Sequence, residues 1–147
     1  MEEANILFQK LAPYAKTPTK GSPLAAGFDL YNCDTVCIQP LSIGTLETKI
    51  AICIPEGYCG KIYERSSVAL KNHSTCLGGV ISSGASEEIK IHLYNLSPHC
   101  PLCVKAGSRM AQIVLEKVHS CNSLQLAESL SPSDRNTKGL GVYSDVK

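Results

Sequence analysis

Two stretches of this chain carry side chains that could handle an anionic ligand or a proton. At Arg65-Ser66 a guanidinium, which offers a planar fork of donors to phosphate oxygens, sits beside a hydroxyl. The segment Leu77–Ile89, LGGVISSGASEEI, places two glycines and Val80-Ile81 before a run of small and hydroxylated residues, then Glu87 and Glu88. A serine hydroxyl, with a pKa far above neutrality, cannot take a proton from water as a carboxylate can. A third stretch, Cys100-Pro101-Leu102-Cys103, has zinc-knuckle spacing. Its only partner pair, Cys33 and Cys37, is three-spaced and distant, so neither a structural metal nor a redox pair is expected.

The elements that must position these residues read as strands. Ile89, Ile91 and Leu93 alternate with Lys90, His92 and Tyr94, the period of a half-buried strand. Ile6–Leu11, Asp34–Pro40, Glu47–Pro55, Gly57–Glu64 and Arg109–Val118 read the same way, and Ser66–Lys71 suggests one short helix. Turn residues cluster at Thr17–Ser22, Pro55–Gly57, Ser97-Pro98 and Ala106–Ser108. Many short strands with regular punctuation predict an all-β sandwich or barrel. Residues 1–129 are expected to form one β domain, and 130–147, polar and rich in Gly and Ser, a mobile tail.

Bulk properties narrow the functional classes. The 147 residues are 44% hydrophobic and carry a net charge of +1, which gives no electrostatic case for nucleic acid or an anionic membrane. No apolar run is long enough to cross a bilayer, and the N-terminus lacks the pattern of a signal peptide. An intracellular protein, cytoplasmic or nuclear, is the expectation. Its eight cysteines would then be free thiols, acting mostly as small buried apolar groups.

Five segments, in order, resemble the motifs of the trimeric dUTPase family. Ala25–Leu30 (AAGFDL) is similar to its first motif and Glu64–Leu70 (ERSSVAL) to its second. Gly78–Ile81 (GGVI) opens the third, Ala106–Val118 (AGSRMAQIVLEKV) resembles the fourth, and Arg135–Ser144 (RNTKGLGVYS) is a worn fifth. The resemblance implies a dUTPase-like β-barrel or jelly roll and a homotrimer with an exchanged C-terminal tail. Family members hydrolyse dUTP to dUMP and pyrophosphate with magnesium. By this likeness Arg65, Ser66, Gln112 and Arg135 hold positions that contact phosphate, and Asp29 the position that supports the magnesium hydration shell. The residues alone allow plainer roles: Arg65 paired with Glu64 or Glu116, Asp29 capping a turn, Gln112 an ordinary strand residue.

The nucleoside side departs from the family pattern. Gly78, Gly79, Val80 and Ile81 keep the hairpin frame, but Ser82 stands at the general-base position and Ala85 at the tyrosine that packs under the deoxyribose. Glu87 replaces a glycine, Ser67 a glycine of the second motif, Ser108 an aspartate of the fourth, and Leu140 the stacking phenylalanine of the tail. The second motif also fits dCTP deaminase, but its required glutamate falls at His92 or Leu93. The expected function is therefore an inactive dUTPase homologue acting as a protein-interaction or regulatory module, as degenerate dUTPase folds do among DNA viruses, adenovirus early proteins included. A residual dUTP diphosphatase and a nucleotide sensor without turnover are the alternatives. No resident cofactor is expected, and magnesium only with a bound triphosphate. The expected partners are two further copies of the chain, a protein partner, and weakly bound dUTP or dUMP.

Overall fold

In a computed structural model, which describes residues 5–119, 121 and 123–131, ten strands and one helix form two facing four-stranded sheets and a two-stranded ribbon. The first sheet runs β1 (Leu7–Lys10), β4 (Ile43–Cys53), β8 (Glu88–Asn95), β6 (Ser74–Leu77). The second runs β2 (Phe28–Tyr31), β10 (Arg109–Lys117), β5 (Tyr58–Glu64), β7 (Val80–Ile81). The ribbon pairs β3 (Val36–Ile38) with β9 (Leu102–Val104), and α1 (Ser66–Asn72) follows β5. All ladders are antiparallel.

Alternation explains most of this. In β8 the side chains of Ile89, Ile91 and Leu93 are buried and that of Lys90 is exposed, so one face closes on Leu30, Leu46, Ile50 and Ile113. β4 breaks the rule. Lys49 has φ 53 and the register with β8 shifts between Glu47 and Ala51, a bulge after which Ile50, Ala51 and Ile52 are all buried. Inside the bulge, the buried Thr48 hydroxyl donates to the Ile89 carbonyl at 2.6 Å. At the far end of β8, the Asn95 amide donates to the carbonyls of Ile38 and Cys100, which ties the ribbon to the first sheet.

Two expectations change. β4 begins at Ile43, not Glu47, and the short strands β2, β6, β7 and β9 are additional to those the pattern predicts. Cys37 and Cys103 face each other across the β3–β9 ribbon and form a disulfide, so these two are not free thiols. Thiol burial is also uneven: Cys53, Cys100 and Cys121 are exposed, and Cys33, Cys59 and Cys76 partly buried. Arg135, Leu140 and nearly all of the expected tail lie outside the described residues.

Candidate functional site

Asp29, Arg65 and Gln112 meet across β2, β10 and the end of β5 in the second sheet. β10 lies between β2 and β5, so Gln112 stands opposite Asp29 on one side and Tyr63 on the other. Asp29 is buried, and Arg65 crosses to it, Nε to Oδ1 at 3.0 Å. Arg109 approaches the second carboxylate oxygen, Nη1 to Oδ2 at 3.5 Å. The Arg65 fork is fixed further by an Nη1 donation to the Arg109 carbonyl at 3.2 Å. Gln112 donates Nε2 to the Glu64 carbonyl at 3.3 Å. Arg65 therefore pairs with neither Glu64 nor Glu116. Glu64 instead accepts from the Cys76 amide, and Glu116 from Lys61 and Tyr63.

The corner so formed carries two guanidinium groups against one carboxylate, with exposed Ser66 at the start of α1 beside it. Arg109 is the member that motif matching did not single out, although it stands inside the quoted fourth motif. Both oxygens of Asp29 face arginine. The corner thus presents an anion-binding surface rather than direct metal ligands, and magnesium would fit here only through its own water shell. Among the described residues no group of three His, Cys, Asp or Glu side chains gathers as a metal site.

The hairpin lies at the β7 edge of the same sheet. Gly78 has φ 61, and a Cβ on Gly79 would sit 2.6 Å from the Ile62 carbonyl oxygen, so the glycine pair lets β7 lie close on β5. Ala85 donates its amide to the Ser82 carbonyl at 3.3 Å, closing a turn with Gly84 at φ 80. The two arms then diverge into different sheets, β7 to β5 and β8 to β4. Between them opens a cleft of about 620 Å³. Ile62 and Ile89 contribute apolar walls, Ser82, Ala85 and Glu87 one end, and Lys90 and His92 the other arm.

Ser82 is exposed and makes no side-chain hydrogen bond to a described carboxylate. Of the two nearby acids, Glu88 is committed: its Oε1 accepts from the Lys49 amide at 3.1 Å and its Oε2 lies 3.5 Å from Lys49 Nζ. Lys49 also bonds Glu47, and that hydrogen bond holds the Glu47 carboxyl below its ordinary value. Burial first, and the Glu64 charge second, push the Cys76 thiol up to about 12. The required deaminase glutamate has no counterpart here either, since Leu93 is fully buried and His92 is bonded to Thr45.

An arginine corner and a glycine-framed hairpin thus stand on a two-sheet β fold, and comparisons with known proteins give the family. The dUTPase family model matches residues 13–142. The deoxyuridine 5'-triphosphate nucleotidohydrolase of Saccharomyces cerevisiae is 35% identical over 127 residues, covering 86% of each chain. The mouse (Mus musculus) protein of the same name is 31% identical over 138 residues, covering 94% of this chain and 84% of its own. Among solved structures, Staphylococcus bacteriophage 80alpha dUTPase with dUpNHpp superposes with a TM-score of 0.84 at 24% identity, over 95% of this chain and 98% of that one. The chain belongs to the dUTPase family.

Proposed function

We propose that this chain is a dUTPase-family protein that no longer turns over dUTP and uses its scaffold as a protein-interaction or regulatory module. One observation carries the reading. The turn that the family uses for its catalytic carboxylate and sugar platform presents Ser82 and Ala85, and the nearest fixed acid, Glu88, is held by Lys49. Loss of a positioned base costs about 10²–10⁴-fold in rate. Glu87, at the far end of the turn, adds negative charge where a triphosphate would approach. A regulatory use of such a scaffold has a parallel in fold, since phage dUTPases are described as controlling transfer of virulence genes.

A second reading, a slow dUTP diphosphatase, draws support from the name shared by the relatives above and from the assembled Asp29, Arg65 and Gln112 corner. A nucleotide sensor without turnover would use the same corner. In either case magnesium would enter with the triphosphate.

The expected assembly is a homotrimer. Two features support exchange of C-terminal segments between copies. Leu124 and Leu126 are fully exposed, and β1 is an edge strand without a further partner among the described residues, with exposed Leu7 and Phe8. An intracellular location remains the proposal.

Pyrophosphate release from dUTP and magnesium tests the main reading. The expected rate equals the magnesium-only background, and turnover that scales with protein concentration would sink the non-catalytic reading. The combined Ser82→Asp, Ala85→Tyr, Glu87→Gly variant is expected to gain activity by about 10²-fold or more, because the corner that would hold the phosphates is already in place.

A further inference from the structure

Four prolines follow a hydroxyl residue: Thr17-Pro18, Ser22-Pro23, Ser97-Pro98 and Ser131-Pro132. A proline holds the residue before it extended, the form in which a protein kinase takes a hydroxyl into its cleft. The structure separates the four. Ser97 is half-buried, and its Oγ accepts from the His99 amide at 3.4 Å and the Cys100 amide at 3.0 Å, so its hydroxyl is committed to a turn. Ser22 opens a turn in which its carbonyl accepts from the Ala25 amide, and the third residue after it is that alanine. Ser131 has Asp134 at the same place. Thr17 alone has a basic residue there, Lys20, and another, Lys16, just before it. A proline at one place on and a cation at three are what a proline-directed kinase reads.

Thr17 is also placed to be reached. It is exposed, and its hydroxyl makes no hydrogen bond among the described residues. Residues 16–18 lie between the turn that Ala15 closes on Ala12 and the bridge of Thr19 to Asp29, and make no backbone hydrogen bond among the described residues. Within 16–20 only Pro18 is half-buried, lining a small apolar pocket with Phe8 and Phe28. The stretch can therefore enter a kinase without breaking a ladder. Its two lysines hold their ammonium groups over aromatic rings, Lys16 5.5 Å from the Tyr31 centroid and Lys20 5.3 Å from that of Phe28. Neither forms an ion pair with a carboxylate among the described residues. The stretch also runs beside the arginine corner. Thr19 bridges to Asp29, and Tyr31, under Lys16, stands opposite Arg109 on β10. Thr17 is two residues, about 7 Å at strand spacing, from that bridge.

We propose that Thr17 is a phosphorylation site for a proline-directed protein kinase, and that its phosphate weakens anion binding at the arginine corner. The Thr17 Oγ attacks the γ-phosphorus of a nucleoside triphosphate. The new O–P bond forms as the bond to the bridging oxygen breaks, the nucleoside diphosphate leaves with the electron pair, and the hydroxyl proton passes to the kinase's base. The product carries a charge of about −1.5 to −2 at neutral pH. Lys16 and Lys20 flank it and supply charge-assisted hydrogen bonds that hold the segment along β2. A second polyanion at Arg65 and Arg109 would then lie within about 10 Å of that charge, one Debye length at ordinary ionic strength, and be repelled. The proposal goes beyond the proposed function and does not rest on it, since a catalytic and a non-catalytic chain present the same residues 16–20.

The test incubates the full chain with a purified proline-directed serine/threonine kinase and ATP, and maps the phosphate by mass spectrometry of the digested product. Phosphate is expected at Thr17, absent from that position in Thr17→Ala and restored in Thr17→Ser. Lys20→Ala is expected to slow the transfer. Calorimetry then compares inorganic tripolyphosphate binding to the modified and unmodified chains. The dissociation constant is expected to rise about fivefold on phosphorylation, and by less as salt is added. Thr17→Ala treated with the kinase in the same way is expected to bind as the unmodified chain does. No phosphate at Thr17, transfer unchanged by Lys20→Ala, no tripolyphosphate binding to the unmodified chain, or equal binding to both forms would each overturn the proposal. Hydrolysis of dUTP is not measured, so turnover would overturn only the non-catalytic reading, and failure here only the Thr17 site.

Discussion

The arginine corner, built across β2, β10 and the end of β5, and the hairpin cleft beside β7 treat their polar groups in opposite ways. At the corner the side chains bind one another and the backbone: Asp29 to Arg65 and Arg109, Arg65 to the Arg109 carbonyl, Gln112 to the Glu64 carbonyl. In the cleft, Ser82 stands exposed at the turn, and the inward edges of β7 and β8 have no strand partner among the described residues. These bonds at the corner fix the guanidinium of Arg65 and the carboxylate of Asp29 with no ligand needed to hold them, and leave further guanidinium donors for an anion. The cleft depends on whatever fills it. The corner ties three strands of one sheet to each other, β2, β10 and β5.

Stability should therefore be concentrated at the corner. The largest loss is expected for Asp29→Ala, which leaves Arg65 and Arg109 facing each other beside a buried backbone. Removing one partner of a fully buried pair costs about 3–5 kcal/mol. The two arginine side chains are 28% and 46% exposed, so solvent screening reduces the expected loss to about 2 kcal/mol. Urea unfolding measures it as a lower midpoint at unchanged slope. A midpoint equal to that of the parent chain would show that the corner is no more rigidly built than the cleft, and the contrast would fail.

Gly79→Ala tests the boundary between the two regions. Its Cβ would meet the Ile62 backbone oxygen at 2.6 Å, and neither strand can give way without moving β7 off β5. Overpacking of this kind costs about 1–3 kcal/mol, and because β7 is a two-residue edge strand that can shift, about 1 kcal/mol is expected. Exchange of the Ile62 amide, which donates to Gly79, should quicken more than that of any β10 amide. Equal quickening across the sheet would mean that β7 is not an independent flap of the cleft.

How much of this was legible in the sequence follows from the same contrast. The β8 alternation, the span of β10 to within a residue, and Asp29, Arg65 and Gln112 of the corner could be read because each lies within one motif or one period. The Arg65–Asp29 pair could not, because it spans β10 and exists only once β2 and β5 flank that strand. The start of β4 was hidden by the bulge at Lys49, which shifts the phase of burial midway along the strand. The Cys37–Cys103 bond joins residues 66 apart and appears only in the β3–β9 register, so an argument from compartment alone treats both as thiols. The free edges of the cleft left no trace in the sequence, since they are backbone groups and any residue supplies them.

Ser82→Ala should have the smallest effect, and it bears most directly on the comparison. Ser82 is exposed, and its backbone carbonyl, not its hydroxyl, makes the turn bond to Ala85. Exposed substitutions away from such features stay within about 0.5 kcal/mol. Pyrophosphate release should also stay at background, since a hydroxyl that was never a base is not missed. A rate above background in the parent chain that disappears in Ser82→Ala would make Ser82 a working residue of the cleft. In that case the corner and the cleft would differ in chemistry and not in whether chemistry remains. An unchanged midpoint and an unchanged background rate would leave the turn as a place where side chains are free to vary and only the backbone frame is held.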